Sequence, residues 1–192
     1  MRKIVYVSLC IMLGYVFILL PLKAAQPQKS KIILLISEQN ISGPQHAWWA
    51  SEIDLSATEQ TIAKKLIEEG YEVLEPSMLS KSVLKNKAFR LLNLSEGQAV
   101  KLGNLSKADF VVAGKAVASS GGHVPDSNMR SCFGNITAKL IDTKSAKVIA
   151  YLDAAGTCVH LDLITGGKEA LVSASADLAA KIIEVLKKEG GK

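Results

Sequence analysis

Two cysteines, three histidines and a pair of adjacent tryptophans are the residues whose chemistry could matter most in this chain. Outside an N-terminal apolar segment that holds Cys10, the only cysteines are Cys132 and Cys158. Cys158 and His160 alternate along one stretch and His123 lies upstream, so Cys132, Cys158, His160 and His123 form a conceivable zinc set. No Cys-x-x-Cys or other compact ligand knuckle accompanies them. Three readings stay open: a disulfide, two buried thiols, or a metal site. An exported chain favours the first, and closing the intervening loop would contribute about 3 kcal/mol, less any strain. A Cys132–Cys158 disulfide is therefore the expectation, with no metal and no cofactor.

The rest of the sequence offers little for catalysis. The histidines are far apart and carry no Ser or Asp constellation. Gly121-Gly122 and Gly166-Gly167 lack the patterns of a phosphate cradle. Glu68-Glu69 occupy adjacent helical positions and cannot converge on one substrate. No catalytic residue is assigned, and the chain is not expected to be an enzyme. His46-Ala47-Trp48-Trp49 is a different signal. Two adjacent tryptophans on an extended segment cannot both enter one core, so His46, Trp48 and Trp49 are candidate partner-binding residues. The alternative is a loop that folds back and buries both rings over the end of a sheet.

The beginning of the chain sets the compartment. Met1-Arg2-Lys3 is a basic start, Ile4 to Leu20 is apolar, and Pro21 breaks the run before Leu22-Lys23-Ala24-Ala25. This is the pattern of a secretory signal peptide over 1–24, followed by a polar linker over 25–30 and one α/β domain over 31–192. An uncleaved membrane anchor is the alternative. Removing Arg2, Lys3 and Lys23 from the 23 basic residues leaves 20 against 18 acidic ones, a net +2. So small an excess gives no electrostatic case for nucleic acid.

The elements that would position these residues read in order. Lys31 to Ser37 is a continuous apolar run, as in a central strand buried on both faces. Glu38 to Ile53 is irregular, with Gly43-Pro44 as its turn. Ser56-Ala57-Thr58-Glu59 is a capping box before Ile62, Ala63, Leu66 and Ile67, and Gly70 supplies the stop. Tyr71 to Leu74 completes a right-handed βαβ unit. Ser77 to Leu94 and Ser95 to Leu102 read as two further helices, the second ending at Gly103-Asn104. Asp109 to Ala118 is a third strand, in which Gly114 marks close approach of a neighbour. Ser119 to Arg130 is an exposed loop, and Gly166-Gly167 opens a terminal helix with Ala170, Leu171, Ala174, Leu178, Ile182, Val185 and Leu186 as its stripe.

Between them lies a hairpin. Pairing Leu140 with Ala150, Ala138 with Leu152 and Ile136 with Ala154 gathers the apolar residues on one face. The same register opposes Cys132 to Cys158. It leaves Lys144, Ser145 and Ala146 as a three-residue loop whose last residue is left-handed. The expected fold is α/β, a single mixed sheet with a parallel βαβ start, an antiparallel C-terminal hairpin and packed helices.

The third strand Ala-Asp-Phe-Val-Val-Ala-Gly-Lys-Ala (108–116) and the hairpin Asn-Ile-Thr-Ala-Lys-Leu-Ile-Asp-Thr-Lys-Ser-Ala-Lys-Val-Ile-Ala (135–150) resemble a family of bacterial envelope modules. These occur in the middle domain of flagellar assembly protein T, the amino-terminal domain of TolB and the periplasmic part of the curli secretion lipoprotein. The likeness covers nearly the whole mature chain. It departs at Ala146, where the family turn holds glycine. The resemblance implies a TolB amino-terminal-like fold and a periplasmic, non-catalytic assembly or scaffold module with envelope or flagellar proteins as partners. Contact with the membrane would run only through an uncleaved N-terminal segment. The rival expectation is a ligand-binding protein or enzyme with a pocket at the carboxyl ends of the parallel strands, near Ser37 to Asn40.

Overall fold

The computed structural model of the chain describes residues 30–46, 55–74 and 95–190. The apolar run forms the central strand β1 (Lys31–Asn40), and Ile32 through Ser37 are buried on both faces. A turn at Ile41-Ser42 leads into β2 (Gly43–His46), antiparallel to the end of β1. The chain therefore turns two residues before Gly43-Pro44, which instead opens the new strand. Pro44 is tolerated there because β2 is an edge.

Helix α1 (Ala57–Glu68) starts at the expected capping box, with Ser56 Oγ accepting from the Glu59 amide and the Glu59 carboxylate accepting from the Ser56 amide. Gly70 (φ 92°) ends it, and β3 (Glu72–Leu74) runs parallel to the first residues of β1. Helix α2 (Glu96–Ser106) carries a second capping box, Ser95 and Gln98. It continues through Gly103 to a left-handed Lys107 (φ 57°). Gly103 is thus not a stop. A Cβ there would lie 2.6 Å from a Val111 methyl, so the glycine lets α2 sit close on the sheet.

Strand β4 (Phe110–His123) pairs with β1 in parallel, from Ile32 opposite Phe110 to Gln39 opposite Val117. β5 (Arg130–Asp142) and β6 (Lys147–His160) follow antiparallel, and the sheet order is β2-β1-β4-β5-β6 with β3 also beside β1. The mixed sheet is as expected, but β4 and β5 consume most of the expected 119–130 loop and leave only Val124 to Met129 between them. Gly114 does mark a close approach, since a Cβ there would meet the Thr137 carbonyl oxygen at 2.5 Å.

The hairpin register matches residue for residue, including Cys132 opposite Cys158. Near the turn it shifts: Ile141 pairs with Val148, Asp142 with Lys147, and Ile149 is left over as a bulge. The connection is therefore Thr143 to Ala146 rather than the three residues from Lys144. Ala146 is left-handed (φ 56°), as the loop reading required. The Thr143 hydroxyl anchors the turn on the carbonyls of Ala108 and Asp109, at 2.6 and 2.8 Å.

Helix α3 (Leu163–Gly190) begins three residues before the expected Gly166. Asp162 caps it, its carboxylate accepting from the Thr165 amide at 2.7 Å and hydroxyl at 2.6 Å. α1 and α3 bury the sheet face made by Ile32, Leu34, Ile36, Val112, Ile136 and Leu140. α2 covers part of the other face, over Ile33, Leu35, Val111 and Ile141. The α3 stripe is as read, with Ser175 added, whose buried hydroxyl returns to the Leu171 carbonyl at 2.6 Å.

Gly134 and Gly156 are paired across β5 and β6, directly beneath α3. A Cβ on Gly134 would meet the Ala170 carbonyl at 2.6 Å, and one on Gly156 would strike the Ala170 oxygen and meet the Ala174 nitrogen at 2.5 Å. These are backbone atoms that no rotamer change can move. Gly156→Ala is expected to cost about 3 kcal/mol in urea denaturation. Gly122→Ala, with nothing within 4 Å, should change stability by no more than about 0.5 kcal/mol; equal effects would mean that α3 does not rest on the sheet. Ala146→Gly should raise stability by about 1 kcal/mol by relieving the left-handed strain, and a lowered melting temperature would contradict the turn geometry.

Candidate functional site

The carboxyl ends of β1 and β4 are where an open α/β sheet usually receives a ligand. Here buried side chains occupy that end. Glu38 accepts from the Thr58 amide at 2.9 Å, and the fully buried Glu59 accepts from the Ile36 amide at 2.9 Å and the Ser56 amide at 3.1 Å. Asn40 donates to the Ile164 carbonyl at 3.0 Å and accepts from the Ile41 amide at 2.7 Å, which ties the end of β1 to the first turn of α3. Two carboxyl groups thus meet the positive start of α1, a placement its dipole favours. Burial pushes the Glu59 carboxyl up to about 7 against the amides that favour its ionised form, and the nearby Glu38 adds to the rise. The arrangement docks α1 on β1.

The cysteines face each other on β5 and β6 but are not joined; both are free thiols. The expected Cys132–Cys158 disulfide is not present in this structure, and strand geometry disfavours it. Lys181 Nζ donates to the Asp153 carbonyl at 2.7 Å, so that carbonyl lies on the outer side of β6. By the alternation of the ladder, Cys158 then turns its own backbone groups inward and exchanges hydrogen bonds with Cys132. Such pairs hold their Cβ atoms farther apart than the alternate pairs do, which makes a bridge harder to close. The Cys158 thiol donates instead to the Glu169 carboxylate at 2.9 Å, which pushes it up to about 11; burial pushes Cys132 up as well. Both are poor nucleophiles near neutrality. Among the described residues no three His, Cys, Asp or Glu side chains converge to hold a metal. His160 Nδ1 accepts from the Asp162 amide at 2.9 Å.

A polar cleft of about 660 Å³ opens at the opposite end of the sheet, lined by Ser30, Asp109, Asp142, Lys144, Lys147 and Glu189 among others. Burial raises the Asp109 carboxyl, but the Lys31 amide at 2.9 Å and the Lys144 ammonium at 3.0 Å outweigh it and hold the group below its ordinary value. The ion pair closes the hairpin turn against β4.

The face of β5 and β6 turned away from α3 is of another kind. It exposes Phe133, Tyr151 (69%) and Val159 (49%), and Leu161 (65%) follows where β6 ends. Tyr151 is held by its hydroxyl on Glu96 at 3.4 Å and by Lys139, 5.3 Å above the ring. Beside it the 14 residues of β6 form the sheet edge, with no further strand beyond it among the described residues. The sequence contained the signal. The register that turns even positions to the core leaves Phe133, Tyr151 and Val159 as apolar residues on the outer face.

Of the candidate partner-binding residues, His46 ends β2 opposite Glu38. Trp48 and Trp49 lie outside the described residues, as do the leader and the helix expected over Ser77 to Leu94. No described helix is long and apolar enough to cross a membrane.

The architecture is an open mixed α/β sheet with helices on both faces. No family model matches the chain, and no curated protein matches it. Among solved structures it is similar to a hypothetical protein from Chlamydia trachomatis, at 12% identity and TM-score 0.46 over 85% of this chain and 96% of that one. It is also similar to a lipoprotein from Neisseria meningitidis, at 18% identity and TM-score 0.43 over 80% and 99% of the two chains. A minor lipoprotein from Acinetobacter baumannii gives 10% identity and TM-score 0.43 over 84% and 94%.

The Glu59 carboxyl sets a pH dependence. Its folded value of about 7 lies above the 4.5 of a free glutamate, so the folded state binds the proton more tightly. Stability from this group is greatest below about pH 4.5 and falls as pH rises to about 7, by about 3 kcal/mol in all. Glu59→Gln should be less stable at pH 5 but lose this slope between pH 5 and 7 in urea titrations. An unchanged slope would assign the effect elsewhere.

Proposed function

We propose that the chain is an exported, non-catalytic binding or assembly module of the bacterial envelope that engages protein partners through β6 and the adjoining outer face. The observation that carries this reading is the apolar set Phe133, Tyr151 and Val159, exposed beside a sheet edge. Aromatic residues on a rigid strand lose little freedom on docking and are typical anchors of protein interfaces. The backbone groups of an edge strand can add hydrogen bonds to that contact. The basic, then apolar, N-terminal segment supports export. The resemblance of the third strand and hairpin to the flagellar assembly protein T and TolB modules supports a periplasmic place and makes flagellar assembly or envelope scaffolding the process to test. The carboxyl groups of Glu38 on β1 and Glu59 on α1 are taken up in holding α1 on the sheet, which favours contact over chemistry.

A photo-crosslinking residue placed at Tyr151 or Val159 in the producing cell should capture a discrete protein band. The same residue at Lys64, exposed on α1, should not. Equal capture at all three positions, or none at 151 and 159, would overturn the assignment of this surface.

A further inference from the structure

We infer that β6 is a self-association edge: two copies of this chain pair β6 with β6, antiparallel about a twofold axis at Ala155, and join their sheets into one. This rests on the reading of the β6 surface as a protein-binding site and names its partner. The Asp153 carbonyl that receives Lys181 lies on the outer side. By alternation, the amide and carbonyl groups of Tyr151, Ala155, Thr157 and Val159 face outward too. β6 contains no proline, and such a long edge with apolar side chains is a template for strand pairing.

Self-complementarity selects the occupant. With the axis at Ala155, Tyr151 of each copy stands opposite Val159 of the other, so two exposed apolar side chains cover one another. Asp153 then stands opposite a Thr157 hydroxyl, a neutral donor for its carboxylate. Small residues, Ala154 to Gly156, line the axis. Centring the pair on Asp153 would instead oppose two like charges, which cross-strand pairing disfavours.

Helix α3 permits the pairing. Gly156 lies under Ala170 and Ala174, and the Lys181 ammonium reaches the Asp153 carbonyl at the strand edge. Asp177 already holds Lys181 at 2.8 Å. Lys181 gives up the Asp153 carbonyl on pairing and keeps Asp177.

Sedimentation equilibrium on the purified full chain should find a dimer. Tyr151→Glu and Val159→Lys, each alone, should raise its dissociation constant at least about tenfold. The double variant should return to within about threefold of the parent, because the two substitutions set opposite charges across the axis twice. If either variant loses its folding transition, Thr157→Asp, which opposes an acid to Asp153, should weaken the dimer in its place. A parent that stays monomeric, or a double variant no better than the singles, would overturn self-pairing. A monomer that still crosslinks another protein from Tyr151 leaves the binding-surface reading standing; a monomer that crosslinks nothing removes both.

Discussion

The contact on which the rest of the structure depends is backbone against backbone: helix α3 lying directly on the glycine pair Gly134 and Gly156. A two-stranded hairpin has little stability of its own in water, and β5 and β6 are joined to the parallel part of the sheet only through β4. The missing Cβ atoms let α3 approach close enough to seal the hairpin with small residues, Ala170 and Ala174. From there the helix runs on to bury Leu178, Ile182 and Leu186 with α1 over the parallel strands. One helix therefore unites the two halves of the sheet. Gly166 and Gly167 extend the principle to its first turn, where Cβ atoms would strike Cys132 Sγ at 2.6 Å and the Asn40 side chain.

A second constraint is the burial of carboxylates at the start of α1. Sinking an acid in the core is costly unless its oxygens are satisfied, and Glu59 accepts amide hydrogens from both β1 and its own cap. The same side chain thus closes the helix start and fastens it to the central strand. Glu38 does the converse, reaching from β1 to the Thr58 amide. Near Ser37 to Asn40 the polar side chains thus join α1 and α3 to β1.

Much of the fold was legible because it followed from local rules. The capping box at Ser56, the stop at Gly70, the two-faced burial of β1 and the left-handed Ala146 each depend on a few neighbouring residues. The hairpin register was legible because slipping by one residue would turn every apolar side chain outward. Tertiary packing was harder. Gly103 reads as a helix stop but serves as a contact surface beneath α2, and nothing in its immediate neighbours distinguishes the two. The register already opposed Gly134 to Gly156, yet only the position of α3 shows why neither can carry a side chain. The disulfide expectation failed on a finer point: register opposes two residues, but whether the pair is hydrogen-bonded decides the distance between their Cβ atoms. The polar stretch after Ala118 read as loop because Ser and Gly have low strand propensity. Pairing with β5 overrides that preference through Ser120 and, past an irregularity, again at His123.

The surface proposed for binding follows from how α3 is used. Seated on one face of β5 and β6, the helix cannot also cover the outer face, and α2 covers only the side nearer β1 and β4. Natural sheets protect such edges with charges, bulges and prolines. β6 has a bulge at Ile149 next to the turn and one lysine on the Asp153 carbonyl, while Tyr151 and Val159 stay exposed between and beyond them. Lys181 is a reversible guard: its ammonium is held independently by Asp177, so it can leave the strand without becoming an unpaired charge. An edge defended by a detachable side chain resists indiscriminate pairing yet remains open to a partner that offers a full ladder of hydrogen bonds and apolar cover for Tyr151.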